Sequence, residues 1–332
     1  MRGDNPLTDP RRRASIKVLL AGGLAAAGMP YATAQAWPSK PLRMVIPFAP
    51  GGGTDILGRI VAAKLGEAIG QNVVVENRGG AGGRIGMTAV ATAPGDGHTI
   101  MMVSSSYSVN AAVYKMDFDP VKDLAPVIQI AAVPTVLAAM NSLPASNVQE
   151  LVRLARSKPG SVTFASSGPA SSPHLAGELL AMLADAKLVH VPYKGGNPAM
   201  MDVIGGQVNL LFGTVTQMAP HIRSGKLKPI AISGAKRARI LPDVPTFAEA
   251  GLPGHEMANW FGILAPGSTP KPIVAELNRH LNRLLGNPEV REKMDHEGAE
   301  PVGGSAEDFE KQIQSEIEKF KRIVARANIK AE

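Results

Sequence analysis

The chain has 332 residues, no cysteine, 35 basic and 28 acidic side chains, and a 45% apolar composition with few aromatics. At ~150 residues per domain this length allows two lobes and a sizeable core, and the missing cysteines exclude a thiol nucleophile, an iron–sulfur cluster, Cys-ligated zinc and a CxxC redox pair. Residues 1–36 hold five of the basic and two of the acidic groups, so the remaining 30 and 26 leave +4, too ordinary a balance to argue for nucleic acid as a partner.

The first 36 residues read as an export signal. Arg11, Arg12, Arg13 and Lys17 precede an apolar, small-residue run from Val18 to Met29, and Ala32-Thr33-Ala34 and Ala34-Gln35-Ala36 both offer small-x-small cleavage patterns. The run is shorter than the ~20 residues of a bilayer span, and no later stretch reaches that length, so a soluble periplasmic protein is expected. Arg12-Arg13-Ala14-Ser15-Ile16-Lys17 is similar to a twin-arginine motif, with Ser15 where a large apolar residue is usual; Sec and twin-arginine export both stay open.

After Trp37 short β-branched runs alternate with helical ones: Leu42 to Phe48, Asp55 to Ile69, Asn72 to Glu76, Arg84 to Ala91 and Thr99 to Val103. Strand, helix, strand, helix, strand predicts a parallel sheet with right-handed crossovers. A second series follows Pro144. Its helices are predicted over Val148 to Ser157, His174 to Leu183, Pro198 to Ile204 and Gln217 to Ser224, and its strands over Val162 to Ala165, Leu188 to Val191, Val208 to Phe212 and Lys228 to Ser233.

The C-terminal third is helical. Thr269 and Pro270 open a helix with Ile273, Val274, Leu277, Leu281 and Leu284 on one face, and Ser305 with Asp308 starts another whose Phe309, Ile313, Ile317, Phe320 and Val324 recur every three or four residues. The apolar stretches Val127 to Met140 and Met257 to Leu264 flank the second series and read as two strands crossing between lobes. The expected organisation is an α/β fold with residues 37–138 and 262–332 in the first lobe, 139–261 in the second, and a hinge and cleft between them.

Chemistry-bearing residues cluster in the turns. Pro50-Gly51-Gly52-Gly53-Thr54-Asp55 lies between the first strand and its helix, where consecutive N–H groups can cradle an anion; Asp55 would repel one and is read mainly as a helix cap. Asn77-Arg78-Gly79-Gly80-Ala81-Gly82-Gly83 repeats the arrangement at the same carboxyl edge of the sheet, where ligands bind. Neither loop is a GxxxxGK[ST] or a GxGxxG, so no nucleotide cofactor is implied. Ser166 through Ser172 offers hydroxyls and helix-start N–H groups, or capping alone. In Val191-Pro192-Tyr193-Lys194-Gly195-Gly196-Asn197-Pro198 an aromatic wall and a cation could meet a carboxylate, although a turn lysine is more often solvated. Ser104, Ser105, Ser106 and Asn110 could bond the same ligand or form a polar loop. There is no GxSxG and no HExxH, and His174 with Glu178 at i, i+4 reads as a local pair rather than a metal site.

Ile46 to Asp55, Glu76 to Gly83, Val191 to Gly196, and Leu241-Pro242-Asp243-Val244-Pro245-Thr246-Phe247 through Gly251 together resemble the Bug family, the periplasmic substrate-binding proteins of tripartite tricarboxylate transporters, from about Trp37 to the C-terminus. The resemblance implies a Venus-flytrap fold, type II-like, with two crossover strands at the hinge. It also implies capture of a mono-, di- or tricarboxylate partly through ordered water, and delivery to membrane permease subunits. It assigns ligand contact to Gly52, Gly53, Gly82, Ser166, Gly168, Tyr193 and Gly195. Asn209 and Gly213 stand where an Asp-bearing pattern is common, a departure that weighs against amino-acid ligands.

The expected binding set is therefore Phe48, Pro50, Gly51, Gly52, Gly53, Asp55, Gly80, Ala81, Gly82, Gly83, Ser105, Asn110, Ser166, Gly168, Ser171, Tyr193, Lys194, Gly195 and Gly213, in a cofactor-free, metal-free monomer that is not an enzyme. The rival readings are an extracytoplasmic sensor and an enzyme acting on an acidic metabolite.

Overall fold

Apolar, β-branched segments too short to be helices pair first around Leu42–Ile46 (β1), which is buried on both faces as a central parallel strand must be. The computed structural model describes residues 37–257 and 259–327; the expected export signal lies outside them. β1 pairs in parallel with β2 (Val73–Asn77) and β3 (Thr99–Ser104), joined by α1 (Gly53–Ile69) and α2 (Arg84–Ala91). Ser106–Val113 forms a helix (α3) where a polar loop was one expectation; its buried residues run from Ser106 to Asn110.

β4 (Leu124–Val133) belongs to this first sheet, and only Pro134 separates it from β5 (Thr135–Ala139), which belongs to a second. The second sheet is built from β6 (Val162–Ser166), β7 (Leu188–Pro192), β8 (Leu210–Thr214) and β9 (Lys228–Ser233) in the order β7-β6-β8-β5-β9. Its helices are α4 (Val148–Ser157), α5 (Ser172–Leu183), α6 (Gly196–Ile204) and α7 (Val215–Arg223). The chain returns through β10 (Asn259–Pro266), and with β11 (Glu300–Pro301) the first sheet reads β11-β4-β10-β3-β1-β2.

The strands of the two strand–helix series run parallel as expected, β1 with β2 and β3, and β6 with β7 and β8. The crossing strands make each sheet mixed, because β10 runs antiparallel to β3 and β4, and β5 antiparallel to β8 and β9. The chain changes sheet at Pro134 and again before Asn259. Thr135 pairs with Thr214 in the second sheet, whereas Asn259 pairs with Val133 in the first. Just before the return, the Met257 N–H donates to Ser233 Oγ on β9 at 3.1 Å, so the two crossings lie side by side.

The C-terminal stripes find their docking surface on the first sheet. In α10 (Ala306–Ala327), Phe309, Ile313 and Ile317 pack with Trp260, Tyr107 and Val103, and Trp260 meets Phe309 edge-on at 5.1 Å. The capping box forms as read: Ser305 Oγ accepts from the Asp308 N–H at 3.0 Å. α8 (Lys271–Leu285) buries Leu277, Leu281 and Leu284. The short α9 (Pro288–His296) buries only Val290 and Met294, too little apolar periodicity to foresee.

Candidate functional site

The turns at the carboxyl ends of both sheets face each other. Gly52 and Gly53 at the start of α1 stand opposite Gly196 and Thr214; a Cβ on Gly52 would come within 3.8 Å of the Gly196 nitrogen, and one on Gly53 would overlap Thr214 Oγ1. Ser106, the first residue of α3, accepts from the Ser172 N–H at the start of α5 at 3.0 Å, and Ser105 Oγ lies 2.7 Å from Ser172 Oγ. Between these contacts is a cavity of about 50 Å³. At ~10–15 Å³ per water position, it accommodates a few waters or one small polar group.

The wall has two characters. Gly52, Gly53, Thr54, Ser104, Ser106, Thr135, Ser167, Ser172, Gly196, Gly213, Thr214, Gln217 and Asn259 supply neutral hydrogen-bonding groups; Phe48, Phe212, Phe261 and Pro173 supply apolar surface. Among the described residues the wall contains no charged side chain. Instead α1, α3, α5, α6 and α7 all begin at it. Helix starts expose N–H groups without intrahelical acceptors and carry roughly half a positive charge each, so their convergence makes this wall electropositive without a cation.

Asp55 is buried beside this wall but is fully engaged. Its carboxylate accepts from the Gly51 N–H at 2.9 Å, Arg59 Nε at 3.0 Å and Asn77 Nδ2 at 2.9 Å. Burial works against its charge, but these donors prevail and hold the carboxyl below its ordinary range. It fastens the first glycine loop through Gly51, whereas the cap position of α1 is held by Gly52, with no side-chain cap bond.

Of the residues expected from sequence, Phe48, Gly52, Gly53 and Gly213 line the cavity. Most others join the two sheets around it. Gly82 (φ +66°) and Gly168 (φ +127°) adopt backbone conformations that suit glycine and pack together; a Cβ on Gly82 would overlap the Pro169 carbonyl oxygen. Gly80, Ala81 and Gly83 shape the turn that presents Gly82. Gly195 packs on Ala49, whose N–H donates to the Lys194 carbonyl at 3.3 Å, while Pro50 and Gly51 carry the chain past Asn197. Asn110 Nδ2 donates to the carbonyls of Gly82, Ser106 and Ala170.

The rest serve their own loops. Ser166 Oγ lies 2.6 Å from His190 Nε2, and Ser171 Oγ donates to the Gly168 carbonyl at 2.7 Å. Tyr193 donates to Asp202 at 2.6 Å, and burial with that carboxylate pushes its hydroxyl up to about 12. The Lys194 side chain is exposed and outside the wall. His174 and Glu178 are a local pair at 3.6 Å, and among the described residues no cluster of His, Cys, Asp and Glu has metal-binding geometry.

Thr214 and Gln217 escaped the sequence reading, although Thr-x-x-Gln at a strand-to-helix junction is a capping-box pattern and pointed to a helix start at that edge. Thr135 and Asn259 were hidden because each lies beside a change of sheet, which no local pattern marks.

Comparison with known proteins agrees with this architecture. BugD, a periplasmic binding protein, is 34% identical with a TM-score of 0.86 over 89% of this chain and 100% of its own. Rpa4515 from R. palustris, solved with adipate, is 37% identical with a TM-score of 0.85 over 88% and 98%. MatC from Rhodopseudomonas palustris, solved with malate, is 32% identical with a TM-score of 0.83 over 87% and 100%. Residues 57–329 match the model of the tripartite tricarboxylate transporter family receptor. With two α/β sheets meeting around a cavity lined by uncharged groups, the chain belongs to that family of non-enzymatic solute receptors.

Proposed function

We propose that this chain captures a small carboxylate between its two sheets and delivers it to the membrane subunits of a tripartite tricarboxylate transporter. The observation that carries the reading is the meeting of five helix starts on a wall without charged side chains. Such a site attracts an anion through oriented N–H groups and keeps its net charge on the ligand. Adipate and malate, the ligands of Rpa4515 and MatC, fall in the same class. With Asp55 outside the wall and already bonded to Gly51, Arg59 and Asn77, the wall presents no carboxylate to an ammonium group among the described residues. The sheets act as two lobes turning at Pro134, with the loop residues Gly82, Gly168, Asn110 and Gly195 governing closure and the wall residues contacting the ligand. Export by the first 36 residues places this monomeric receptor in the periplasm.

The test is thermal unfolding with a panel of acids and their amides. A ligand that binds only the folded form adds ~2.7 kcal/mol at one hundred times its dissociation constant, or roughly 5 °C at ~2 °C per kcal/mol. Adipate, malate, succinate, citrate and benzoate are the acids to try. Amides that stabilise as well as their acids would defeat the reading, because they keep the shape and lose the charge.

A further inference from the structure

The most informative polar group in the wall is an amide. Gln217 is 6% exposed, and its Nε2 has no hydrogen-bond partner among the described residues. It occupies the N3 position of α7, three residues after the capping Thr214, whose Oγ1 accepts from the Gln217 N–H at 3.4 Å. In a complete capping box the glutamine side chain would return to the backbone of the cap. Here it does not: Thr214 is held in strand pairing with Thr135, and the amide lies instead against Gly196, where a Cβ would approach Oε1 to 2.7 Å. Gly213, on its other side, also lines the cavity. A buried amide donor left unpaired costs about 1–3 kcal/mol, so its retention at the meeting point of three helix starts calls for an acceptor that arrives with the ligand.

We infer that Gln217 is the second sheet's principal side-chain donor to the ligand carboxylate, completing a grip whose other half is the Gly53 and Thr54 N–H groups of α1. This rests on the carboxylate reading and adds to it the residue through which one anion holds both sheets together. A neutral amide suits the task because it donates without cancelling the ligand's charge, and so leaves the helix starts their full effect. It follows that a negative charge at this position opposes binding and that its neutralisation restores it.

The experiment uses calorimetric titration with the tightest-binding of adipate, malate, succinate, citrate and benzoate. Gln217→Met keeps the length and loses the donor; it should bind at least fivefold more weakly. Gln217→Glu should lose more than twentyfold at pH 7.5 and come back to within about fivefold of wild type at pH 5.5, each compared with wild type at the same pH. A carboxyl group buried beside an anion has a raised pKa, and once protonated it donates where the amide did. Mere disturbance of packing would weaken binding equally at both pH values. Unchanged affinity in Gln217→Met, or a Gln217→Glu defect that ignores pH, overturns the inference while leaving the carboxylate reading in place. A wild-type chain that binds none of the acids overturns both.

Discussion

The side-chain amide of Asn110 donates to the carbonyl oxygen of Ala170 at 3.0 Å, a bond that joins α3 of the first sheet to the loop entering α5 of the second. The same nitrogen also meets the carbonyls of Gly82 and Ser106 on its own side. One buried side chain thus fastens the second glycine loop and reaches across to the opposing lobe.

Asn110→Ala should weaken carboxylate binding about five- to tenfold, on the order of 1 kcal/mol for one net hydrogen bond made on closure. It should also lower the melting temperature by a few degrees, since the carbonyls of Gly82 and Ser106 lose their donor as well. Titration well below the melting point separates the two effects. Wild-type affinity would mean that the bond to Ala170 has no part in closure.

Gly53→Ala should separate folding from closure. At the first turn of α1, alanine is preferred over glycine by up to ~1 kcal/mol, so the ligand-free protein should be as stable as wild type or more so. Closure would drive the new methyl into Thr214 Oγ1, so binding should fall by more than tenfold. Gly52→Ala, whose Cβ meets Gly196 only at ordinary contact distance, should be milder. Gly53→Ala binding as wild type would show that the sheets tolerate a wider gap there.

Lys194→Met should change affinity by less than twofold. Its contribution to closure is the main-chain carbonyl that accepts from Ala49, and the substitution leaves this intact. A tenfold loss would restore the ammonium as an anchor.

Stability should decline in mild acid. His255 is stacked at 4.1 Å on Phe247, with Nδ1 2.9 Å from Ser233 Oγ and Nε2 2.9 Å from the Ala176 carbonyl, and burial pushes it down to about 4 from 6.5. Burial and the neighbouring His174 push His190 down to about 4 as well. The unfolded chain therefore binds more protons between these values. The stabilisation is fully present above pH 6.5 and is lost as pH falls toward 4. For His255 the whole shift corresponds to ~3 kcal/mol, about three-fifths of it gone by pH 5. Urea unfolding at pH 7.5, 6 and 5 should show this fall, and a flat or rising profile would contradict it.

Much of the fold was legible because most of its elements advertise themselves locally. Arg84–Ala91, Val148–Ser157 and Lys228–Ser233 begin and end where their periodicity does. α3 was obscure because Ser106, Ser108 and Asn110 are polar yet buried: Ser106 Oγ and the Asn110 amide nitrogen find partners on the opposing loops, at Ser172 and Ala170, a circumstance with no trace in the local pattern. The site was half legible for a related reason. Glycine runs mark where backbones approach closely, which is why Gly52 and Gly53 could be named, but they do not distinguish a glycine facing a cavity from one facing another loop. Gly82 and Gly168 are of the second kind.

Val133 and Asn259 stand opposite each other on antiparallel strands, and beside each the chain is already committed to the second sheet, through Thr135 on one side and Met257 on the other. Two attachments this close leave the sheets essentially one turning axis and little freedom to slide or twist. Proline at one of them removes a further backbone rotation. In the proposed closure the rims of the cleft meet in one register, as contacts as close as Gly82 on Pro169 require. A glycine inserted beside Pro134 would leave both sheets intact and still slow capture, because the jaws would meet out of register more often than in it.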